Sequence, residues 1–282
     1  MLLQRAKEKF LWNSCCAGLR EPKVLSWVPN DVSIQNQIRV QLQAAGFDLA
    51  SYKVDTSDFA DYLRKAQYHR FRRYYDGGRA RAFLEKSLEH YVAAKLLGLQ
   101  NEDVYIDIAN DRSPTPEIYR DLYGCAAYRQ DLKFPAGMHG NAIGGDAADM
   151  PLEDGFATKM ALHCSFEHFE GDSDIRFIRE AGRILRKGGR LCILPLYLFT
   201  EYAIQTDPTV FPKGGIEFES DAVLYCARGY RNRHGRVYSV PKLATRVREN
   251  LGKLRLTLYV IENEREVDPY CYLKFAALIE NG

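Results

Sequence analysis

Between residues 104 and 198 the sequence alternates short apolar segments with polar, helix-forming ones, and this alternation constrains the fold most. The segment VYIDIAND carries an acid, Asp107, near its end, and the segment CAAYRQD ends in Asp131. Two later segments, FATKMALH and RLCILPLYL, are apolar almost throughout. Alternating strands and helices predict a parallel sheet with helices on both faces. Ligands of such sheets bind at the carboxyl ends of the strands, so the acids are predicted to surround one crevice.

Five blocks follow one another here in the order VYIDIAND, CAAYRQD, GDAADMPLEDG, ALHCSFEHF and FIREAGRILRKGGRLCILPLY. Blocks in this order resemble the S-adenosylmethionine-dependent methyltransferases of the Rossmann-like class. The resemblance implies an α/β fold with a seven-stranded Rossmann-like sheet, S-adenosyl-L-methionine as cofactor and methyltransferase activity. The chain departs from the family in the loop after Asp107, where Ala109, Asp111 and Ser113 stand at the three positions that the family fills with glycine.

Composition narrows the class of protein. The chain has 282 residues, of which 46% are hydrophobic and 27% charged, so it is long enough to bury a core. A net charge of +2 argues against nucleic acid as the main partner. Seven cysteines without a CxxC pair indicate neither a zinc site nor a disulfide scaffold, and they favour the reducing cytoplasm. We find no signal peptide and no apolar run long enough to span a membrane, so we expect a soluble protein.

The sequence divides into a helical N-terminal extension or lid, residues 1–81, and a methyltransferase-like domain, residues 82–282. Periodicity predicts one helix over residues 57–78 and a second over residues 81–98, the latter ending at Gly98. A helix with Phe177 in its buried stripe is predicted to have Arg186 and Lys187 in its last turn and to end at Gly188 and Gly189. Residues 201–250 are rich in glycine and proline and read as an acceptor-side insertion. Residues 254–263 and 271–281 then predict an antiparallel pair that closes the sheet.

The resemblance assigns the cofactor to residues at the strand ends. Asp107, Ala109 and Ser113 would meet its methionyl part, with His163 nearby. Asp131 would accept hydrogen bonds from the ribose hydroxyls, as an acid at this point does in nucleotide-binding folds. Asp146 and Ala147 would meet the adenine. The alternative for the first loop is a helix entry at Ser113 and Pro114, and the alternative for Asp131 is an ordinary loop acid.

His163 and His168 are the candidate catalytic bases, because an imidazole near its ordinary pKa can remove a hydroxyl proton. The alternative is a histidine that positions the loop. His163 and Glu167 are four residues apart, as metal ligands on one helix face would be, but no third ligand is apparent and no metal is predicted.

The segment from Arg228 to Arg248 contains seven arginines and lysines and no acid. Arginine forks bind phosphate or carboxylate and tyrosine rings stack on sugars, so Arg233, Arg236 and Tyr238 are candidate substrate-binding residues. They predict a small anionic or glycan-type acceptor, phosphorylated or linked to a nucleotide. The alternative is a basic face that pairs with acidic turns of the same chain. A second basic and aromatic cluster, residues 70–81, predicts a lid in which Tyr74 or Tyr75 either contacts the ligand or packs on the sheet.

We therefore expect O-methylation of a small anionic or glycan-type acceptor, in carbohydrate or polysaccharide biosynthesis. Two other classes stay open on the sequence alone: a non-catalytic binding or scaffold protein on a degenerate methyltransferase fold, and another nucleotide-using enzyme. RNA methylation is a lesser variant that the basic segment suggests. The acceptor, the atom methylated and the oligomeric state are not fixed by the sequence.

Overall fold

The computed structural model describes residue 6 and residues 31–210, 216 and 218–282. Most of the predicted extension before residue 31, including Cys15 and Cys16, lies outside these residues, as do Pro212, Gly214 and Gly215 of the insertion. The strands are β1 (Asp48–Tyr52), β2 (Val104–Ile108), β3 (Ala126–Asp131), β4 (Gly137–His139), β5 (Ala142–Gly144), β6 (Ala157–His163), β7 (Leu185–Leu194), β8 (Ala203–Thr206), β9 (Val223–Cys226), β10 (Gly235–Val237), β11 (Leu254–Ile261) and β12 (Phe275–Asn281).

The main sheet has the strand order β1-β11-β12-β7-β6-β2-β3-β5-β4. Its centre is parallel, from β7 through β6, β2 and β3 to β5. Strand β12 runs antiparallel to both β7 and β11, which confirms the predicted closing pair. The predicted number of seven strands is not confirmed, because the sheet has nine in the described residues, whereas the predicted α/β class is confirmed. The two additional strands lie at the edges: β1 pairs in parallel with β11, and β4 forms an antiparallel pair with β5.

Helices cover both faces of the sheet, as predicted. One buried apolar cluster contains Ile38, Phe177 and Leu243, and a second on the opposite face contains Phe59, Leu88 and Ile118. The helices that supply these side chains, with the shorter ones between them, are α1 (Val32–Ala44), α2 (Thr56–Ala66), α3 (Tyr75–Gly78), α4 (Phe83–Leu97), α5 (Thr115–Tyr123), α6 (Ser173–Ile184), α7 (Val240–Arg246) and α8 (Glu264–Val267).

Two predicted helices differ in the structure. The helix expected over residues 57–78 ends at Ala66, where Gln67 adopts a left-handed conformation with φ 49°. The chain then turns so that the hydroxyls of Tyr68 and Tyr74 reach the two ring nitrogens of His90, at 2.7 and 3.0 Å. After Ala66 the chain is therefore held against α4 by buried polar contacts and does not continue as a helix with an apolar stripe.

The second difference concerns the end of α6, which stops at Ile184, so that Arg186, Lys187 and both glycines belong to β7. Gly189 explains why the strand can begin there. A Cβ on this residue would lie 2.8 Å from the carbonyl oxygen of Arg186 and 3.1 Å from that of Thr158 in β6. By contrast, α4 ends as predicted, with Gly98 at φ 62°.

Residues after β7 form the predicted insertion of short elements, a three-stranded sheet of order β10-β8-β9 followed by α7. The region before residue 82 supplies β1 to the main sheet in addition to helices. The division of the chain at residue 81 stays a prediction. Within the described residues, no helix combines the length and the apolar character that crossing a bilayer requires.

Candidate functional site

The site is centred where the chain reverses its direction of travel across the sheet. From β2 the chain adds β3 and β5 on one side, then returns to place β6 and β7 on the other. Strands β2 and β6 are neighbours, and the connections that leave their carboxyl ends diverge. In open α/β sheets such a switch point is where ligands bind. Asp107 of β2 and His163 of β6 meet there, with 3.7 Å between Oδ1 and Nε2, and we call them the switch-point pair.

Both members of the switch-point pair are buried, and burial favours their neutral forms. Burial raises the pKa of Asp107 to about 8, although hydrogen bonds from Asn110 and Tyr105 lower it. Burial lowers the pKa of His163 to about 3, and the charge of Lys86 lowers it further. The Tyr105 hydroxyl lies between the two groups, 3.2 Å from Asp107 Oδ1 and 3.3 Å from His163 Nε2. His163 is therefore an uncharged imidazole at neutral pH.

The loop after β2 adopts the backbone conformation that glycine favours even though it contains none. Ala109, Asp111 and Arg112 have φ of 51°, 36° and 72°, whereas Ser113 is not left-handed. Side-chain hydrogen bonds from Asn110 hold this conformation: its Nδ2 donates to Asp107 Oδ2 at 2.6 Å and to the carbonyl of Ser113 at 2.9 Å. The sequence analysis missed Asn110. A short amide inside a loop is itself a signal, since such side chains bond to neighbouring backbone groups.

Asp131 lies beside this loop, at the end of β3, and is also buried. Its Oδ2 accepts the N–H of Asp111 and its Oδ1 accepts the N–H of Lys133, each at 2.9 Å. The side chains of Asp111 and Lys133 form an ion pair above it. Asp131 therefore holds the loop against β3, and a ribose would share oxygens that already accept two backbone hydrogen bonds.

Asp146 and Ala147 follow β5 on the same edge of the sheet. Asp146 is half-exposed; its Oδ1 accepts the N–H of Ala148 at 3.0 Å, and its Oδ2 lies 3.2 Å from Arg176 Nη1 of α6. Ala147 is buried. The half-exposed carboxylate is positioned by α6 and open on one side to a ligand.

A second group of polar side chains lies at the carboxyl ends of β6 and β7. Helix α4 buries Leu88 as its stripe predicts, but it also buries Glu85, Lys86 and Glu89, which the stripe does not. Lys86 Nζ lies 2.6 Å from Glu89 Oε1 and 2.7 Å from Cys164 Sγ, and Cys164 lies 3.2 Å from the Tyr197 hydroxyl. We call this group the α4 cluster; its members are Glu85, Lys86, Glu89, Cys164, Glu167, Tyr197 and Tyr272.

The α4 cluster adjoins the switch-point pair through His90, one turn along α4 from Lys86. The rings of His90 and His163 meet edge to face with centroids 4.8 Å apart. Tyr74 packs on His90, which favours the packing alternative for this tyrosine. Tyr75 contacts Tyr74 at 4.8 Å, and burial raises its pKa, while the charge of Lys86 lowers it. The segment before α4 therefore covers the α4 cluster.

The candidate substrate-binding residues bond within the chain. Arg236 is fully buried; it pairs with Asp174 at 3.1 Å and Glu219 at 2.5 Å, and it donates to the carbonyls of Phe169 and Gly171. The other two are paired as well: Arg233 binds Glu170 at 2.8 Å and Tyr238 donates to Asp174 at 2.6 Å. This geometry supports the alternative in which the basic segment pairs with acids of the same chain.

His168 lies apart from the switch-point pair, on a 3-10 turn that faces β10. Its Nδ1 donates to the carbonyl of His234 at 2.5 Å, and its Nε2 lies 3.6 Å from Glu167 Oε1. These contacts fit a histidine that joins the turn to the insertion. In the described residues no three His, Cys, Asp or Glu side chains are grouped so as to hold a metal ion.

The structure combines acids at the carboxyl ends of parallel strands, a left-handed loop after β2 and an antiparallel closing strand between β7 and β11. The acids and the closing strand agree with the resemblance to the Rossmann-like methyltransferases. Residues 78–193, from α3 to the end of β7, match the family model described as "Methyltransferase domain". This match agrees with the S-adenosylmethionine-dependent methyltransferase, and the enzyme, that the sequence predicts. S-adenosyl-L-methionine is the cofactor of this class.

Solved structures of other methyltransferases resemble part of the chain. One is the Burkholderia thailandensis 1,6-didemethyltoxoflavin-N1-methyltransferase, solved with 1,6-didemethyltoxoflavin and S-adenosylhomocysteine: 14% identity, TM-score 0.45, covering 82% of this chain and 91% of the other. Another is the geranyl diphosphate C-methyltransferase of Streptomyces coelicolor A3(2): 10% identity, TM-score 0.43, covering 72% and 87%. No curated protein matches the sequence.

Proposed function

We propose that the protein transfers the methyl group of S-adenosylmethionine to a nucleophilic atom of a small acceptor that lies between the switch-point pair and the α4 cluster. The observation that carries the proposal is the position of Asp107 and His163, 3.7 Å apart at the switch point of the sheet. Cofactor atoms held there would lie beside both groups. The acceptor would enter from the side of Cys164 and Tyr197, which follow the ends of β6 and β7.

The residues of the chain would divide the work as follows. Asp107, the loop from Ala109 to Ser113, Asp131 and Asp146 with Ala147 would hold the cofactor. When bound, the cofactor supplies a methyl group on a sulfonium, which is already a good leaving group. The chain must then align the acceptor with that methyl, exclude water and take up a proton where the acceptor loses one.

Two groups are placed to take up that proton. His163 is uncharged at neutral pH and its Nδ1 is buried with no hydrogen-bond partner in the described residues, but its pKa of about 3, well below the ordinary value that the sequence analysis assumed, makes it a weak base. Glu89 is the second; burial raises its pKa to about 7 although Lys86 lowers it, which suits a base that works near neutral pH. His168, whose Nδ1 donates to a carbonyl, is a weaker candidate.

O-methylation of an anionic or glycan-type acceptor stays a finer proposal from the sequence. The basic segment of the sequence is what suggests it. In the structure, however, Arg233, Arg236 and Tyr238 form ion pairs or hydrogen bonds with Glu170, Asp174 and Glu219. The α4 cluster offers carboxyl groups instead of arginines to the acceptor. These contacts support a proposal in which the α4 cluster, and not the insertion, recognises the acceptor.

Calorimetric titration with S-adenosylhomocysteine tests the cofactor half of the proposal. Asp131→Ala would not isolate a contact to the cofactor, because it also removes the hydrogen bond that holds the loop after β2. Asp146→Ala is better, with Asp149→Ala of the same turn, an exposed carboxylate, as its matched control. Removing a charge-assisted hydrogen bond should weaken binding by about 10- to 100-fold in Asp146→Ala, with no change in the control. Absence of binding to the wild type would contradict the proposal and favour the scaffold alternative.

A further inference from the structure

Unpaired polar atoms are concentrated where the acceptor would bind. Within residues 31–210, 216 and 218–282, the side-chain atoms that are buried without a hydrogen-bond partner include five at this edge of the sheet. They are Glu85 Oε1, Glu89 Oε2, Glu167 Oε2, Ser165 Oγ and His163 Nδ1. Buried polar atoms are nearly always paired in folded proteins. Three of the five are carboxyl oxygens, so the missing partner is a hydrogen-bond donor.

The same region holds more carboxyl groups than cations. Lys86 is its buried ammonium, and it bonds to Glu89 and Cys164. Glu167 has a histidine neighbour, His168, at 3.6 Å, but Glu85 forms no ion pair in the described residues. Burial raises the pKa of Glu85 to about 9 and the neighbouring charge of Glu89 raises it further, although the charge of Lys86 and hydrogen bonds from Tyr272 lower it. Such a buried acid can ionise without a cation only at a high cost, and a ligand cation would lower that cost.

Aromatic rings complete the surroundings of these carboxyl groups. Tyr197 and Tyr272 stack with centroids 6.0 Å apart. Lys86 Nζ lies 5.3 Å from the centroid of the Tyr272 ring, so this ring already faces an ammonium group. Aromatic faces next to carboxylates are the combination that binds ammonium groups, through cation–π attraction and charge-assisted hydrogen bonds.

We infer that the methyl acceptor is an amine, whose amino or ammonium group enters the α4 cluster and donates to Glu85, Glu89 and Glu167. The inference rests on the proposed function and adds the chemical class of the acceptor to it. The amino group anchors the acceptor beside Cys164, within reach of the switch-point pair. A phosphate or a carboxylate accepts hydrogen bonds and adds negative charge beside these carboxyl groups, so it would pair only with a carboxyl that keeps its proton.

The test compares three probes on the protein saturated with S-adenosylhomocysteine: n-butylamine, its neutral isostere n-butanol, and glucose 1-phosphate. Binding is measured by ligand-observed NMR titration. Glu85→Gln keeps the shape of the side chain but cannot become the carboxylate that an ammonium would pair with, and Glu153→Gln, an exposed acid before β6, is the matched control. We expect n-butylamine to bind at least about tenfold more tightly than either other probe. That preference should fall about tenfold in Glu85→Gln and persist in Glu153→Gln.

The outcomes separate this inference from the proposed function. If S-adenosylhomocysteine binds but the amine and the alcohol bind alike, the amine inference is overturned while the methyltransferase proposal stands. Tighter binding of glucose 1-phosphate overturns it in favour of an anionic acceptor. An amine preference that survives in the double variant Glu85→Gln/Glu167→Gln also overturns it, since the amine then binds elsewhere. If S-adenosylhomocysteine does not bind the wild type, the proposed function itself fails.

Discussion

At the scale of one residue, the buried carboxyl of Asp107 in the candidate site lowers the stability of the fold. The carboxyl of an unfolded chain ionises near pH 4, whereas burial raises the pKa of Asp107 in the folded protein to about 8. Folding therefore takes up a proton between these values, and Asp107 lowers the free energy of unfolding as the pH rises through that window. Asp107→Asn should remove this penalty, raising stability at about pH 8 by roughly 1–3 kcal/mol and changing it little near pH 4.

Thermal unfolding of Asp107→Asn and wild type across that pH range checks this. The same variant should bind S-adenosylhomocysteine more weakly, which calorimetry measures. Asp121→Asn, a half-exposed acid of α5 that pairs with Arg70, is the control, and its effect should stay within about 0.5 kcal/mol. A gain that does not depend on pH would mean that Asp107 is ionised in the folded protein.

Arg236, in contrast to Asp107, is a buried charged residue that stabilises the fold. Its guanidinium bonds to two acids, two main-chain carbonyls and the Tyr202 hydroxyl. Lysine cannot reproduce this planar set of donors, so Arg236→Lys should lower the free energy of unfolding by about 2–4 kcal/mol. Urea unfolding measures it, with the exposed Arg255→Lys as a control that should change little. An unchanged stability together with a raised KM would restore the substrate-binding interpretation.

At the scale of an element, the loop between β2 and α5 is destabilised because non-glycine residues adopt positive φ there. A non-glycine residue at positive φ costs about 1 kcal/mol, and Ala109 has φ 51°. Ala109→Gly should leave stability unchanged or raise it by up to about 1 kcal/mol, whereas Ala109→Val should lower it by about 2 kcal/mol or more because a β-branched side chain fits positive φ poorly. Ala126→Val, on the exposed face of β3, controls for valine itself. Equal stabilities of the two Ala109 variants would contradict the left-handed backbone.

The same element shows what the sequence could and could not predict. The acids at the ends of β2 and β3 were predictable because each follows an apolar run. The resemblance placed Ala109, Asp111 and Ser113 at glycine positions, and the first two of these have positive φ in the structure. Asn110 was not found, because its role depends on side-chain bonds to Asp107 and Ser113 that no periodicity encodes.

Helix α4 shows why the sequence analysis did not find the α4 cluster. Periodicity separates apolar positions from polar ones, and it placed Leu88 in the core. It gave no sign that Lys86 is buried too, since that depends on Cys164, 78 residues away along the chain, and on Tyr272. Similarly, the basic segment was expected to bind an anion because it contains no acid of its own. The acid partners of Arg236 come from other elements, which the sequence pattern does not show.

At the scale of the whole molecule, the buried acids predict how stability depends on pH. Burial raises the pKa of Glu85 to about 9, of Glu89 to about 7 and of Asp107 to about 8. Burial lowers the pKa of His163 to about 3 and of His234 to about 4, so these groups affect stability only below about pH 6.5, where unfolded histidine gains its proton. Above that pH the folded chain holds more protons than the unfolded one. Stability should therefore fall by at least about 2 kcal/mol between about pH 6.5 and pH 9.

Urea unfolding at several pH values across that window measures the slope for the free protein. The double variant Asp107→Asn/Glu85→Gln should flatten it, because both sites then carry no titrating proton. Addition of n-butylamine to the wild type should flatten it as well, since an ammonium at the α4 cluster lets Glu85 and Glu89 ionise in the folded state. A wild-type stability that stays level or rises from about pH 6.5 to pH 9 would mean that these acids already have cationic partners. The α4 cluster would then be a structural ion network and not the place where an amine binds.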